Sequence, residues 1–204
     1  MQLSRVIDYY FAPQSPWTYL GHTRLVAIAR EAGAMVQVLP IDLNAVFAVS
    51  GGVPLAQRPA QRQAYRLVEL QRFARHLELP LHLQPAYFPV VPHQAALLII
   101  AVDLHDGAEA ALRLAGMVFA SVWAQQRNIA DPAVLAGLLA ECGLPAERAG
   151  QAQAAEVQAR YEDNTRRAIA AQVFGAPSYV IDGEIFWGQD RLDFVRLALE
   201  RAAS

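Results

Sequence analysis

Ser15 sits in Ala12-Pro13-Gln14-Ser15-Pro16, between a β-branched and aromatic run and a run of helical spacing. A serine there caps the coming helix, and Pro16 suits the first helical position, where its missing N–H costs nothing. The free N–H groups of a helix N-terminus and the positive end of its dipole also converge on such a hydroxyl, which favours a thiolate or carboxylate. Plain cap and anion site both stand on the residues alone. No G-x-S-x-G surrounds Ser15, and His22, two helical turns on, reads as packing or solvated, so hydrolase chemistry has no support.

Three further groups carry possible chemistry. Pro177 follows the small Ala176 and precedes a strand-like run; by itself it reads as a loop proline, since few X-Pro bonds are cis. In Trp187-Gly188-Gln189-Asp190-Arg191, Gly188 permits an unusual backbone angle and Asp190 suits a helix cap, while Gln189 and Asp190 also suit a ligand ammonium group. Arg58, Arg62 and Arg66 recur every four residues on one helical face, a pattern of a solvated surface or of a site for an acidic substrate. Cys142, beside Gly143 at an expected helix end, reads as a packing thiol.

These residues need a scaffold, and the chain supplies one. Residues 5–11 (RVIDYYF) and 35–41 (MVQVLPI) read as strands flanking a helix that begins after Ser15 and closes at Gly33, a β–α–β opening with parallel strands. Loop signals at Gly51-Gly52-Val53-Pro54 and Arg58-Pro59 precede helical patterns near 60–78, 93–106, 108–126, 131–141 and 145–173. Strand character returns in 178–182 and 184–187 around Asp182-Gly183, a hairpin signal, and a last helix begins near Asp190. The order βαβ, helical block, ββα describes a sheet split by a helical insertion.

Composition narrows the classes. Hydrophobic residues make up 54% and charged residues 18%, which fits a packed domain and excludes disorder. A net charge of −2 argues against nucleic acid or an anionic membrane as partner. All 17 basic residues are Arg, which removes Schiff-base and P-loop lysine chemistry. A single Cys excludes an intramolecular disulfide, a CxxC pair and a Cys-rich zinc site, and no metal site is expected. The longest apolar run, 95–102, is too short to span a bilayer, and the opening MQLSRVIDYYF lacks the pattern of a signal peptide, so a soluble cytoplasmic protein is expected.

F-A-P-Q-S-P-W-T-Y-L-G at 11–21, L-V-E-L-Q-R-F-A at 67–74 and V-F-G-A-P-S-Y-V-I-D-G-E-I-F-W-G-Q-D-R-L at 173–192 together resemble 2-hydroxychromene-2-carboxylate isomerases, relatives of kappa-class glutathione transferases and DsbA-like proteins. The resemblance covers essentially the whole chain in order. It implies an α/β thioredoxin-like fold from residues 1–42 and 174–204, with 43–173 as an all-helical insertion and the site in the cleft between them. It implies glutathione as cofactor: Ser15 would hold the cofactor thiol as thiolate, Ala176 before a cis Pro177 would pair with the tripeptide backbone, and Gly188, Gln189 and Asp190 would receive its γ-glutamyl end. It further implies thiolate addition to an aromatic carboxylate substrate, bond rotation and elimination, and a homodimer. Asn164 falls at a recurring family asparagine, and Arg62, Tyr87 and Phe88 are the candidates for substrate contact.

The chain departs from that family on the substrate side. Where family isomerases often carry a lysine near 47–48 and an asparagine near 52, it has Phe47, Ala48 and Gly52. A frequent lysine three residues before Tyr65 is Arg62, and a frequent asparagine is Val91. Two alternatives follow: a kappa-like transferase or peroxidase acting on another electrophile, and a glutathione-binding protein without catalysis. Ser15 and Thr18 occupy the positions of a redox pair, so a dithiol oxidoreductase is discarded.

Overall fold

A computed structural model describes residues 5–200. Strand β1 (Val6–Phe11) lies inside a four-stranded sheet of order β2-β1-β3-β4. It pairs in parallel with β2 (Met35–Pro40) and antiparallel with β3 (Ser178–Ile181), which in turn pairs antiparallel with β4 (Glu184–Trp187). The parallel pair is joined by α1 (Pro16–Glu31), as the right-handed crossover demands. Asp182 (φ 50°) and Gly183 (φ 84°) both adopt the left-handed conformation that a type I′ hairpin turn needs.

Alternation along β1 separates two layers. Ile7, Tyr9 and Phe11, fully buried, join a large core with α1, α4 (His93–Asp106), α5 (Ala108–Trp123) and α9 (Leu192–Glu200). Tyr10 points the other way, into a smaller cluster with Leu39, Val46, Ala168 and Val180. Every residue from Ala95 to Val102 is buried, so the longest apolar run is the central helix of the insertion, and it belongs to the same core cluster as the sheet. No helix among the described residues is long and apolar enough to cross a membrane.

The helical segment lies between β2 and β3 and differs in detail from expectation. Helix α2 (Leu43–Ser50), not foreseen, starts at Asp42, whose carboxylate accepts the Asn44 and Ala45 N–H groups, and ends at Gly51 with φ 76°. Helix α3 (Ala60–His76) and α6 (Pro132–Glu141) match their patterns, the latter capped by Asp131. Helix α5 stops at Trp123 rather than near 126, because Gln126 turns to φ 54°. The pattern at 145–173 is two helices, α7 (Arg148–Gln151) and α8 (Ala155–Ala170), broken where Ala154 is extended. Asp190 does not cap α9: it lies in a one-turn 3-10 segment, Gln189–Arg191, and its carboxylate pairs with Arg191 at 2.6 Å. The outer ends of the expected thioredoxin-like segments, 1–4 and 201–204, lie outside the described residues.

Candidate active site

Ser15 is the N-cap of α1 and is 7% exposed. Its Oγ accepts the Thr18 N–H at 3.3 Å and lies 3.5 Å from the Ala176 carbonyl, to which it donates. The Ala176–Pro177 peptide is cis, as the resemblance implies. The fold thus brings together, across 161 positions of sequence, a helix-terminal hydroxyl and a loop backbone. One turn into α1, Thr18 is fully buried and its hydroxyl oxygen has no hydrogen-bond partner among the described residues. Two hydroxyls therefore share the first turn of a sixteen-residue helix, one lightly engaged and one unengaged.

The loop around Ala176 is held from behind. The Gly188 N–H donates to the Pro177 carbonyl at 2.9 Å, with Gly188 at φ 105°. The Trp187 indole covers Gly175 so closely that a Cβ there would stand 2.9 Å from Cε2 and nearer still to Nε1. Phe174 packs on the same indole, ring centroids 4.8 Å apart, and both aromatic side chains are about half exposed.

The two expected side-chain contacts in this segment part company. Asp190 is at the surface, engaged with Arg191. Gln189 is 2% exposed and turns inward: its side-chain oxygen accepts from the Arg24 guanidinium, which also donates to the Gln189 carbonyl at 2.8 Å. Gly21 admits this packing, since a Cβ there would stand 2.9 Å from both Gln189 Cβ and the Tyr179 hydroxyl.

The residues considered for the substrate also divide. Asn164 is completely buried on α8, its Nδ2 donating to the Pro40 carbonyl at 3.3 Å and its Oδ1 lacking a partner. Arg62 is exposed and makes no ion pair among the described residues; Tyr87 is about half exposed. Phe88, ahead of a second cis proline at 89, packs on Trp123 at 4.8 Å. Above both rings lies Arg66, with its guanidinium carbon 5.3 Å from the Phe88 centroid and 5.7 Å from the Trp123 centroid. Burial, and then the Arg58 charge, push the Arg66 guanidinium down to about 10. Trp123 Nε1 donates to the Gln14 carbonyl at 3.2 Å, which carries this aromatic wall up to the residue before Ser15.

Trp123 was not foreseen, and Arg66 was seen only as one of a row. The phase of α3 separates them: Leu70 is its one fully buried residue, and Arg66 lies one turn before it, whereas Arg62 has drifted round toward solvent. Among the described residues no cluster of three His, Cys, Asp or Glu side chains could hold a metal. His22 and Cys142 have no part in the site: the first is buried and neutral, the second half-buried with its thiol pushed up by burial.

Comparison with known proteins finds relatives along nearly the whole chain. A 2-hydroxychromene-2-carboxylate isomerase of Sphingobium xenophagum is 30% identical over 195 residues, covering 95% of this chain and 97% of that protein. A solved 2-hydroxychromene-2-carboxylate isomerase superposes with a TM-score of 0.79 at 28% identity, over 97% of this chain and 96% of the other. The cytosolic disulfide reductase DsbM from Pseudomonas aeruginosa, solved with GSH, shares the fold with a TM-score of 0.69 at 20% identity, over 97% and 98% of the two chains. The model of the DSBA-like thioredoxin domain matches residues 6–200. On the strength of that match, over nearly all of the described residues, the chain belongs to the DSBA-like thioredoxin family.

Proposed function

We propose that the protein is a glutathione-dependent isomerase of 2-hydroxychromene-2-carboxylate or a similar aromatic carboxylate, working as a cytoplasmic homodimer. The observation that carries this reading is the Ser15 hydroxyl, set between the Thr18 N–H and the Ala176 carbonyl at the N-terminus of α1. The family relatives, named as isomerases of that compound, support it.

The residues fit a thiol ligand. Ser15 Oγ has only a long bond to Ala176, so its hydrogen is free to turn to a sulfur, and the helix terminus favours the anionic form. Thr18 leaves a buried hydroxyl unpaired in the same turn. Ala176 and Pro177 offer backbone beside it, in the manner of an added strand. Gly188 braces that loop, and Asp190 stands at the surface where a γ-glutamyl ammonium would meet a carboxylate. When bound, glutathione would supply a thiolate for reversible addition to a conjugated carbon of the substrate. Ser15 would hold that sulfur as an anion by hydrogen bonding at the helix terminus.

Calorimetric titration with reduced glutathione, followed by isomerase assay with and without it, tests the reading. Saturable binding, lost in Ser15→Ala, and turnover that needs glutathione are expected. Turnover without glutathione would refute the mechanism, and no binding would refute the whole reading. A second reading, a kappa-like transferase acting on another electrophile, is favoured by one observation: the Phe47 ring on α2 packs against Gly52, where the resemblance to the isomerases implies a lysine near 47–48 and an asparagine near 52. Conjugation of a chlorodinitrobenzene-type electrophile without isomerase activity would select it.

A further inference from the structure

The row Arg58, Arg62 and Arg66 has no acidic counterpart. None of the three takes part in an ion pair among the described residues, and the one acid on α3, Glu69, is taken by Arg72 at 2.6 Å. Arg58 satisfies one donor on the Val53 carbonyl at 2.8 Å. Arg66 has no hydrogen bond and no carboxylate partner among the described residues, yet its guanidinium is half-buried over two rings. A cation withdrawn from water, next to like charge and without an anion, is an arrangement that an anionic ligand completes.

Its placement says where that ligand sits. The Phe88 and Trp123 faces hold the guanidinium plane by cation–π contact, leaving its N–H edge for a bidentate acceptor. Trp123 is bonded to Gln14, the neighbour of Ser15, so a single indole links Arg66 to the residue before Ser15. Gln14 adds a buried side-chain oxygen with no donor among the described residues, an acceptor suited to a hydroxyl hydrogen.

We infer that Arg66, rather than the exposed Arg62, is the residue that receives the substrate carboxylate, with Phe88 and Trp123 fixing its guanidinium and Gln14 accepting a neighbouring hydroxyl. The ligand class is a planar aromatic hydroxy-carboxylate. The inference rests on the proposed function for its reaction, but not for its binding chemistry, and the two are tested separately.

Binding of salicylate and of its neutral amide to the full chain is measured by calorimetry, without glutathione. Salicylate is expected to bind at least tenfold tighter, and Arg66→Met, which keeps the packing volume and loses the charge, is expected to abolish the preference. Arg66→Lys keeps the charge without the fork and is expected to weaken salicylate several-fold, which preserves the test if the methionine variant does not fold. Equal binding of salicylate and its amide by the unsubstituted protein overturns the inference, as does an unchanged preference in either variant. In turnover, Arg66→Met should raise KM for the carboxylate substrate tenfold or more and leave that of its methyl ester within about threefold, with glutathione affinity unchanged. A loss shared by acid and ester also overturns it. Failure of glutathione to bind, with salicylate preference intact, instead refutes the proposed function and leaves the Arg66 assignment standing.

Discussion

Phe47 fills the space that a side chain at Gly52 would need: a Cβ at position 52 would stand 2.8 Å from Phe47 Cε1 and closer still to Cγ and Cδ1. The residues at 47 and 52 are therefore sterically coupled. Gly52 does not have a positive φ, so its restraint is steric and not conformational. Gly52→Asn alone should destabilise by about 1–3 kcal/mol, the range for overpacking. Combined with Phe47→Ala it should recover much of that loss. Urea unfolding of the two single variants and the double variant measures the coupling; additive effects would show that the ring and position 52 are independent.

Ser15 has two roles that can be separated. As N-cap it satisfies the Thr18 N–H, so Ser15→Ala should cost about 1 kcal/mol of stability. Glycine caps nearly as well as serine, so Ser15→Gly should lose only a few tenths of a kcal/mol. Both variants lack the hydroxyl that faces Ala176, and both should lose glutathione binding. A Ser15→Gly protein that still binds glutathione with its usual affinity would reduce Ser15 to a helix cap.

Gln189 supports the site from below the surface. Its side-chain oxygen is held by Arg24, itself half-buried with its guanidinium pushed down chiefly by burial. Gln189→Ala leaves that cation with one acceptor fewer and should cost about 1–3 kcal/mol. The thermal midpoint should fall, while the KM for glutathione changes little. A large KM effect at unchanged midpoint would return Gln189 to direct contact with the ligand.

The inward turn of Gln189 shows how far a side chain's surroundings depend on contacts distant in sequence. The scaffold was legible because its signals are local: the Ser15-Pro16 helix start, the Asp182-Gly183 turn, and strands rich in β-branched and aromatic residues. The motif at 187–191 also placed the right segment beside Pro177. The inward turn of Gln189 was not legible, because it depends on the gap above Gly21 on another element. Arg66 and Arg62 share one spacing, and only the packing of Phe88 and Trp123 under Arg66 tells them apart. The break between α7 and α8 was hidden because Ala154, extended and exposed, is a good helix former that carries no local break signal.

His22 should make the fold sensitive to acid. Its Nε2 lies 2.9 Å from the Leu112 carbonyl, which only accepts, so Nε2 carries the hydrogen and Nδ1 accepts from the Tyr9 hydroxyl at 3.3 Å. The neutral ring thus has both nitrogens satisfied. Burial pushes its pKa from 6.5 down to about 4, a shift that the Leu112 bond only partly opposes. The unfolded chain binds this proton below about 6.5 and the folded chain only near 4, so the stabilisation is fully present above 6.5 and is lost as pH falls. Between those values the loss should approach about 3 kcal/mol, with a slope of at most about 1.4 kcal/mol per pH unit. Urea unfolding from pH 7 to pH 4 should show this slope in the unsubstituted protein, and His22→Gln should remove it while starting from a lower stability. Parallel pH profiles for the two proteins would mean that the acid sensitivity arises from the carboxylates instead.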